Sequence, residues 1–389
     1  MPDNTLVPSP PAAPDIDASR DADAAGRTTG HGAHTAGPVA HTAGPVAHTP
    51  WLRSVLLAIA AAAAVLVVLL AFLWPTVTSS VKDLPIAIAG DSAQATQVEK
   101  QLDSAADGVF DLTTTATRAD AVHLIETRQV YGAIVLGDKP EVLTASANGA
   151  AVTQLLGQVA TTIQAQANAQ AAAAVQQAIA AGKAPAGTVA PTITVTVTDV
   201  VPLSSDDARG LGLSASSFPL VLGGMIGGIL ISLLVAGSWR RLVAVVVYAA
   251  AGGLGVTAVM QGWFGILQGG FLVNSLAVGL SMFATAGFIV GMNALIGRAG
   301  IPVGAVLTML VGNPLSAAAQ PLQFITGPWG EIGQWFVPGA SVTLLRDLSY
   351  FPDADASGPW LVLLGWAALG LVGMLLGHFR NQRVVAAAA

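Results

Sequence analysis

A polytopic α-helical membrane protein with six transmembrane helices, and an extracytoplasmic α/β domain inserted between the first and the second, is the fold class predicted by three observations. The 389-residue chain is 53% hydrophobic and only 10% charged, with a mean hydropathy of +0.66. Soluble domains carry about 25% charged residues, so much of this surface faces something other than water. The apolar residues gather into runs of membrane length, one before residue 76 and the rest after residue 217. Between them the pattern changes to short β-like runs alternating with helical ones, the signature of a layered α/β domain.

Residues 1–50 are rich in Ala, Pro, Asp, Thr and Gly and hold almost no large apolar side chain. Such a segment cannot bury enough surface to offset its ordering entropy, which predicts a disordered tail. It contains a tandem repeat, HTAGPVA at 34–40 and again at 41–47. Its histidines, His31, His34, His41 and His48, read either as a metal tract or as by-products of repeat duplication. Wide spacing without Cys or acidic partners favours duplication.

The first membrane helix is predicted over 51–75, with its apolar run at 54–73 between Trp51 and Trp74. Tryptophans at both ends suit interfacial anchors. The run is long for a signal peptide and lies some fifty residues into the chain.

Residues 76–217 predict the α/β domain. PIAIAG at 85–90 and VYGAIVL at 130–136 read as buried strands. Weaker strand patterns lie at 109–114 and 141–146, and Thr/Val alternation at 193–201 reads as a half-exposed strand. Helical spacing covers 93–106 and 118–129, and an Ala/Gln-rich run makes a long helix of 150–182. The order β-α-β-α-β-β-α-β predicts a partly parallel sheet.

Five further spans are predicted at 218–237, 242–260, 272–296, 301–318 and 360–377, forming a membrane domain of 218–380 with a short tail at 381–389. A Pro/aromatic loop, 319–359, precedes the last span and predicts short helices in or dipping into the outer interface, one of them at 342–350. With the N-terminus in the cytoplasm, Arg53, Arg240, Arg241, Arg298, Arg380 and Arg383 all fall inside, as the positive-inside rule demands. This places the protein in the plasma membrane as a multi-pass chain with both termini cytoplasmic, and puts the acidic domain outside.

Composition and motif exclude several functions. A net charge of −6 speaks against nucleic-acid binding. No Cys is present, so disulfides and thiolate chemistry are excluded. No Asp, Glu or Lys lies inside a proposed span, which argues against proton antiporters and resistance-nodulation-division pumps. No phosphate loop is present, so active transport would need a separate ATPase. No cofactor motif and no catalytic constellation occurs, and the chain reads as a non-enzyme. His123 reads as a surface or capping residue, and Asp206-Asp207 as a solvated hinge.

Within the spans, Gly223/Gly227 and Gly224/Gly228 form G-x-x-x-G pairs, suited to close helix approach within the chain or across a dimer. Asn274, Asn293 and Asn313 read either as path-lining groups or as interhelical hydrogen bonders.

The layout resembles the permeases of the type-two ABC exporter class and the related phage-infection-protein (YhgE/Pip) family of actinobacteria. The stretches that carry the resemblance are LPIAIAGD at 84–91, RQVYGAIVL at 128–136, SSFPLVLGGMIGGILIS at 216–232, GNPLSAAAQP at 312–321, PWGEIGQWFVPGA at 328–340 and LLRDLSYF at 344–351. The resemblance implies an export permease, homodimeric or heterodimeric, energised by a separate cytoplasmic ATPase. The ATPase-facing residues of the two short internal joints would be Trp239, Arg240, Arg241 and Arg298, with residues 1–53 and 380–389 as the remaining docking surface. The family also allows a non-transporting receptor or scaffold whose outer domain binds envelope components or a partner protein.

Overall fold

The computed structural model describes residues 50–388, apart from Ala106 and Asp138; the expected disordered tail lies outside them. The chain divides after Leu57 into two units. The described part of the first, residues 50–57, is the opening of helix α1. The rest of α1, the sheet and the helical layer belong to the second.

Among the described residues, five segments are long and apolar enough to cross a membrane: Trp51–Val77, Leu211–Leu234, Ser238–Trp263, Phe271–Gly312 and Ser357–Arg380. The first is α1, whose apolar side chains stay exposed along its run. Its C-terminal end is held by Trp74 packing edge-on against Trp329, centroids 6.3 Å apart, and by Ser79 Oγ donating to Gln320 Oε1.

A small mixed sheet follows. Strands β1 (Leu84–Ala89), β2 (Phe110–Thr115), β3 (Gly132–Val135), β4 (Glu141–Thr144) and β5 (Thr196–Asp199) line up in the order β2-β1-β3-β4-β5. Only the β3–β4 pair is antiparallel. Helices α2 (Ser92–Ala105) and α4 (Ala150–Ala180) cover one face, while α3 (Arg118–Glu126) covers the other. Right-handed crossovers on either side of β1 require this split. Helix α3 opens on a capping box in which the Thr117 side chain takes the Asp120 N–H and Asp120 takes the Thr117 N–H. The approach to β5 is zipped to α4 by amides: Asn168 bonds both backbone groups of Ile193, and Gln164 accepts from Val195 N.

The helical layer comprises α5 (Leu211–Leu234), α6 (Ser238–Thr257), α7 (Phe271–Ile296), α8 (Gly300–Ala305), α9 (Trp329–Gly333), α10 (Val337–Tyr350) and α11 (Ser357–Ala388). Asp207, expected in a solvated hinge, caps α5 by accepting from the N–H groups of Leu211 and Gly212. α6 and α8 end in π-helical turns, Ala258–Trp263 and Val306–Gly312. The backbone of α11 continues through most of the residues expected as a tail.

α7 is the central element, and glycine sets how closely its neighbours approach. A Cβ on Gly291 would sit 2.5 Å from Gly370 O of α11, and one on Gly377 2.5 Å from Ala294 O. On another side, Gly253 of α6 faces Ser275 O and Gly279. Small residues at these positions let backbones touch, the main source of association between helices that share an apolar solvent.

Two expected elements take a different form. The span expected at 301–318 is helical only over 300–312, and leaves the helix at Asn313-Pro314. Pro314 lacks the N–H needed to continue. The segment turns at Gly297 (φ +69°) and doubles back on α7, with Gly304 against Ile289. The interfacial helix expected at 342–350 is instead α10, which begins at Val337 and is buried at most of its positions. Pro338 falls in the first turn, where proline starts a helix instead of breaking it. α10 packs on α7 through a hydroxyl pair, Ser341–Ser281, 2.6 Å apart.

Gly291→Leu is expected to force α7 and α11 apart, at a cost of about 1–3 kcal/mol. Thermal unfolding in detergent should show a clear fall in Tm. Gly255→Ala, where nothing lies within 4 Å of an added Cβ, should leave Tm within a degree or two of the parent.

Candidate functional site

Arginines collect at one end of the helical layer. Arg241 bridges the α5–α6 joint: Nε donates to Val235 O (2.7 Å) and Nη2 to Ser232 O (3.0 Å). Arg380 Nη1 donates to Leu295 O near the end of α7 (2.7 Å). Cations at helix C-termini satisfy the last carbonyls and complement the helix dipole. Arg240 and Arg298 are exposed at the same end. Trp239 is exposed and lies edge-on to His378, 6.4 Å between rings. Of the four residues expected to face an ATPase, Arg241 is therefore committed to joining helices, while Trp239, Arg240 and Arg298 present surface.

The α5 glycines face inward. Gly224 meets Thr285 of α7 at 2.8 Å from an added Cβ, and Gly228 meets Ala286 at 3.0 Å. Gly227 lies under the Tyr248 ring of α6, and Gly223 O accepts from the Tyr248 hydroxyl (2.6 Å). Packing within one chain occupies all four.

The three asparagines are not brought together. Asn293 joins the arginine end: with its amide turned so that oxygen meets a donor, it accepts from Arg241 Nη1 (3.3 Å) and donates to Gly297 O (3.1 Å). Asn274, fully buried, donates to Gln261 Oε1 and Gln268 O, and so fixes the link into α7. Asn313 sits at the end of the 300–312 segment, with Oδ1 buried and unpartnered.

A cavity of about 930 Å³ lies elsewhere, where the sheet meets α10 and α11. Its polar wall includes Arg128, Tyr131, Asn148, Gln323 and Asp347. Arg128 follows α3 with φ +57°. That left-handed conformation costs a branched-free side chain about 1 kcal/mol, and it turns the guanidinium toward α10. There Arg128 ion-pairs with Asp347 and lies 5.4 Å from the centroid of the Phe351 ring. Phe351 is itself buried in the core beneath the sheet, so one arginine ties the sheet domain to the helical layer through charge and ring. Burial pushes the Asp347 carboxyl above its ordinary range, with Arg128 opposing. Neighbouring Arg346 is buried and donates to Ala318 O (3.0 Å); burial, with Arg128 nearby, pushes it down to about 10, still cationic at neutral pH. Tyr131 is raised by burial.

The sequence pattern placed Arg346 and Asp347 in an interfacial helix at 342–350, and assigned no role to Arg128, Tyr131, Asn148 or Gln323. One signal was available: a charged Arg-Asp pair within an otherwise apolar helical stretch needs buried partners. The partner's identity, from a position 219 residues away, carried no local signature. The chain matches no family model, no curated protein and no solved structure with which it was compared.

Arg128→Ala should strand a buried carboxylate and cost about 3 kcal/mol of stability. Without Arg128 the folded-state pKa of Asp347 rises further, so protonation relieves the defect. The deficit, measured by thermal unfolding in detergent, should be larger at pH 8 than at pH 5. Adding Asp347→Ala should restore part of the loss, because the stranded charge is gone.

Proposed function

We propose that the chain is the permease subunit of an ABC-type exporter, embedded in the plasma membrane with both termini in the cytoplasm and energised by a separate ATPase. The observation that carries this reading is the cavity between sheet and helices. It is bounded on one side by α11, a helix of membrane length, with exposed Trp335, Leu361 and Leu369 on its rim. A cargo leaving the helical layer would meet this space before reaching the outer medium.

Charge supports the orientation. Arg240, Arg241, Arg298 and Arg380 share one end, while Asp206, Asp207, Asp353 and Asp355 lie in the segments at the other. In this reading the arginine end is cytoplasmic, the sheet and α10 lie on the outer side, and residues 300–312 begin the remaining passage. No Asp, Glu or Lys occurs in the five membrane-length segments, so a proton relay has no group to use there. Energy would enter through Trp239, Arg240 and Arg298, the exposed part of the arginine end, in a homodimer or heterodimer.

The chain lacks cysteine, so single cysteines report topology without background. A membrane-impermeant maleimide applied to intact cells should label Lys183→Cys and leave Arg298→Cys unlabelled; the opposite result overturns the orientation. The full chain purified from its native membrane should carry ATPase activity. Arg240→Glu combined with Arg298→Glu should remove most of that activity while Tm is retained. A chain that never carries ATPase activity is not an energised permease.

A further inference from the structure

The cavity has two chemically unlike ends. The apolar end is one face of α11: Gly358, Leu361, Val362, Gly365, Trp366 and Leu369 all line it. Their three- and four-residue spacing runs about 16 Å along the helix. Leu361 is 67% exposed and Leu369 58%. Gly358 and Gly365 differ from the packing glycines of α7, because nothing lies within 4 Å of a Cβ added at either. They keep the floor of the groove low without bringing another helix near.

The polar end holds buried groups that want partners. Asn148 is 4% exposed, and neither its amide nitrogen nor its amide oxygen has a hydrogen bond. Gln323 Oε1 is also buried and unpartnered. Leaving such groups unpaired costs about 1–3 kcal/mol each. Of the charged groups on its wall, Arg128 and Asp347 neutralise each other, and Asp355 is an anion that accepts from Ser357 N. The wall therefore offers uncharged donors and acceptors beside an anion, and no unpaired cation for a phosphate.

We propose that this cavity binds one lipid, with an acyl chain along α11 and an uncharged, hydroxyl-bearing head group hydrogen-bonded to Asn148 and Gln323. The volume, about 930 Å³, lies near the top of the range for ligand pockets, about 300–1,000 Å³. Hydroxyls both donate and accept, as the two amides do. A phospholipid head would bring a charge that the paired arginine does not meet. The proposal deepens the permease reading, resting on the cavity as its cargo site.

The test uses the full chain in phosphatidylcholine nanodiscs, doped with a glucosyl diacylglycerol whose acyl chain carries a diazirine. Phosphatidylglycerol with the same chain serves as the competitor. After illumination, labelling of residues 358–369 is mapped by mass spectrometry. The glucolipid should label this face about fivefold more than phosphatidylglycerol, the ratio one net hydrogen bond supplies. Asn148→Leu should bring the two to equality. Gly365→Leu, which fills the groove while leaving Asn148 alone, should reduce labelling by the glucolipid. Equal labelling in the parent, or indifference to both substitutions, would mean ordinary annular lipid and overturn the proposal. Preference for phosphatidylglycerol would overturn the head-group assignment. No ATPase is needed for labelling, so selective labelling of a chain that carries no ATPase activity would sink the permease reading alone.

Discussion

Backbone contact along α7 is the constraint from which the rest follows. Helices in an apolar solvent gain little from burying leucine, because lipid is as apolar as the protein. They associate where small residues let many atoms touch. α7 meets Gly370, Gly373 and Gly377 of α11, Gly253 of α6, and Gly224 and Gly228 of α5. These approaches are too close for a Cβ on at least one partner, so the lateral positions of three helices are fixed by absence of side chains. With α5, α6 and α11 placed, their ends define the platform on which the sheet domain sits. They also define the gap beside α11.

The platform and the sheet are joined by polar groups in an apolar setting. A buried ion pair seldom adds net stability, because desolvating two charges offsets most of the attraction. Its value here is positional. Arg128 reaches Asp347 from a left-handed backbone just past α3, and it lies against Phe351 in the same pose. A sheet displaced by a few ångströms would leave Asp347 charged and alone. Arg346, next in sequence, points to Ala318 O instead, so consecutive residues of α10 hold the sheet and the 313–320 segment at once. The arginine end shows the same logic in the backbone's favour: Arg241 and Arg380 satisfy terminal carbonyls of α5 and α7.

Elements with a strong local period were legible in the sequence. The strands at 84–89 and 132–135 are apolar runs bounded by turn residues, and the 31-residue α4 follows from its alanine content. Even the weak Thr/Val alternation before residue 201 marked β5. The α5 glycines were legible as packing positions, though not which neighbours they meet. What local pattern could not supply was the fate of residues 301–350. Proline there stops one helix at 314 and starts another at 338, two outcomes that depend on which backbone N–H would otherwise be bonded. The cavity was invisible for a related reason. Its walls include β1, the segment after α3, the turn at Asn148, the 322–323 turn, α10 and α11, and such a set exists only once long-range packing has placed them all.

Glycine therefore carries opposite meanings within this one chain. At 291 and 370 it removes a side chain so that two helices can touch, and the space is filled by backbone. At 358 and 365 on the same helix, α11, it removes a side chain and nothing fills the space. Gly costs about 0.5–1 kcal/mol in a helix interior relative to Ala. In the first case close packing offsets that cost; in the second no protein contact does. The unpaired amide of Asn148 is the polar counterpart of those idle glycines, on the far wall of the same cavity. An apolar floor and a buried amide, neither met by a protein group, are complementary in chemistry, and one amphipathic molecule would satisfy both.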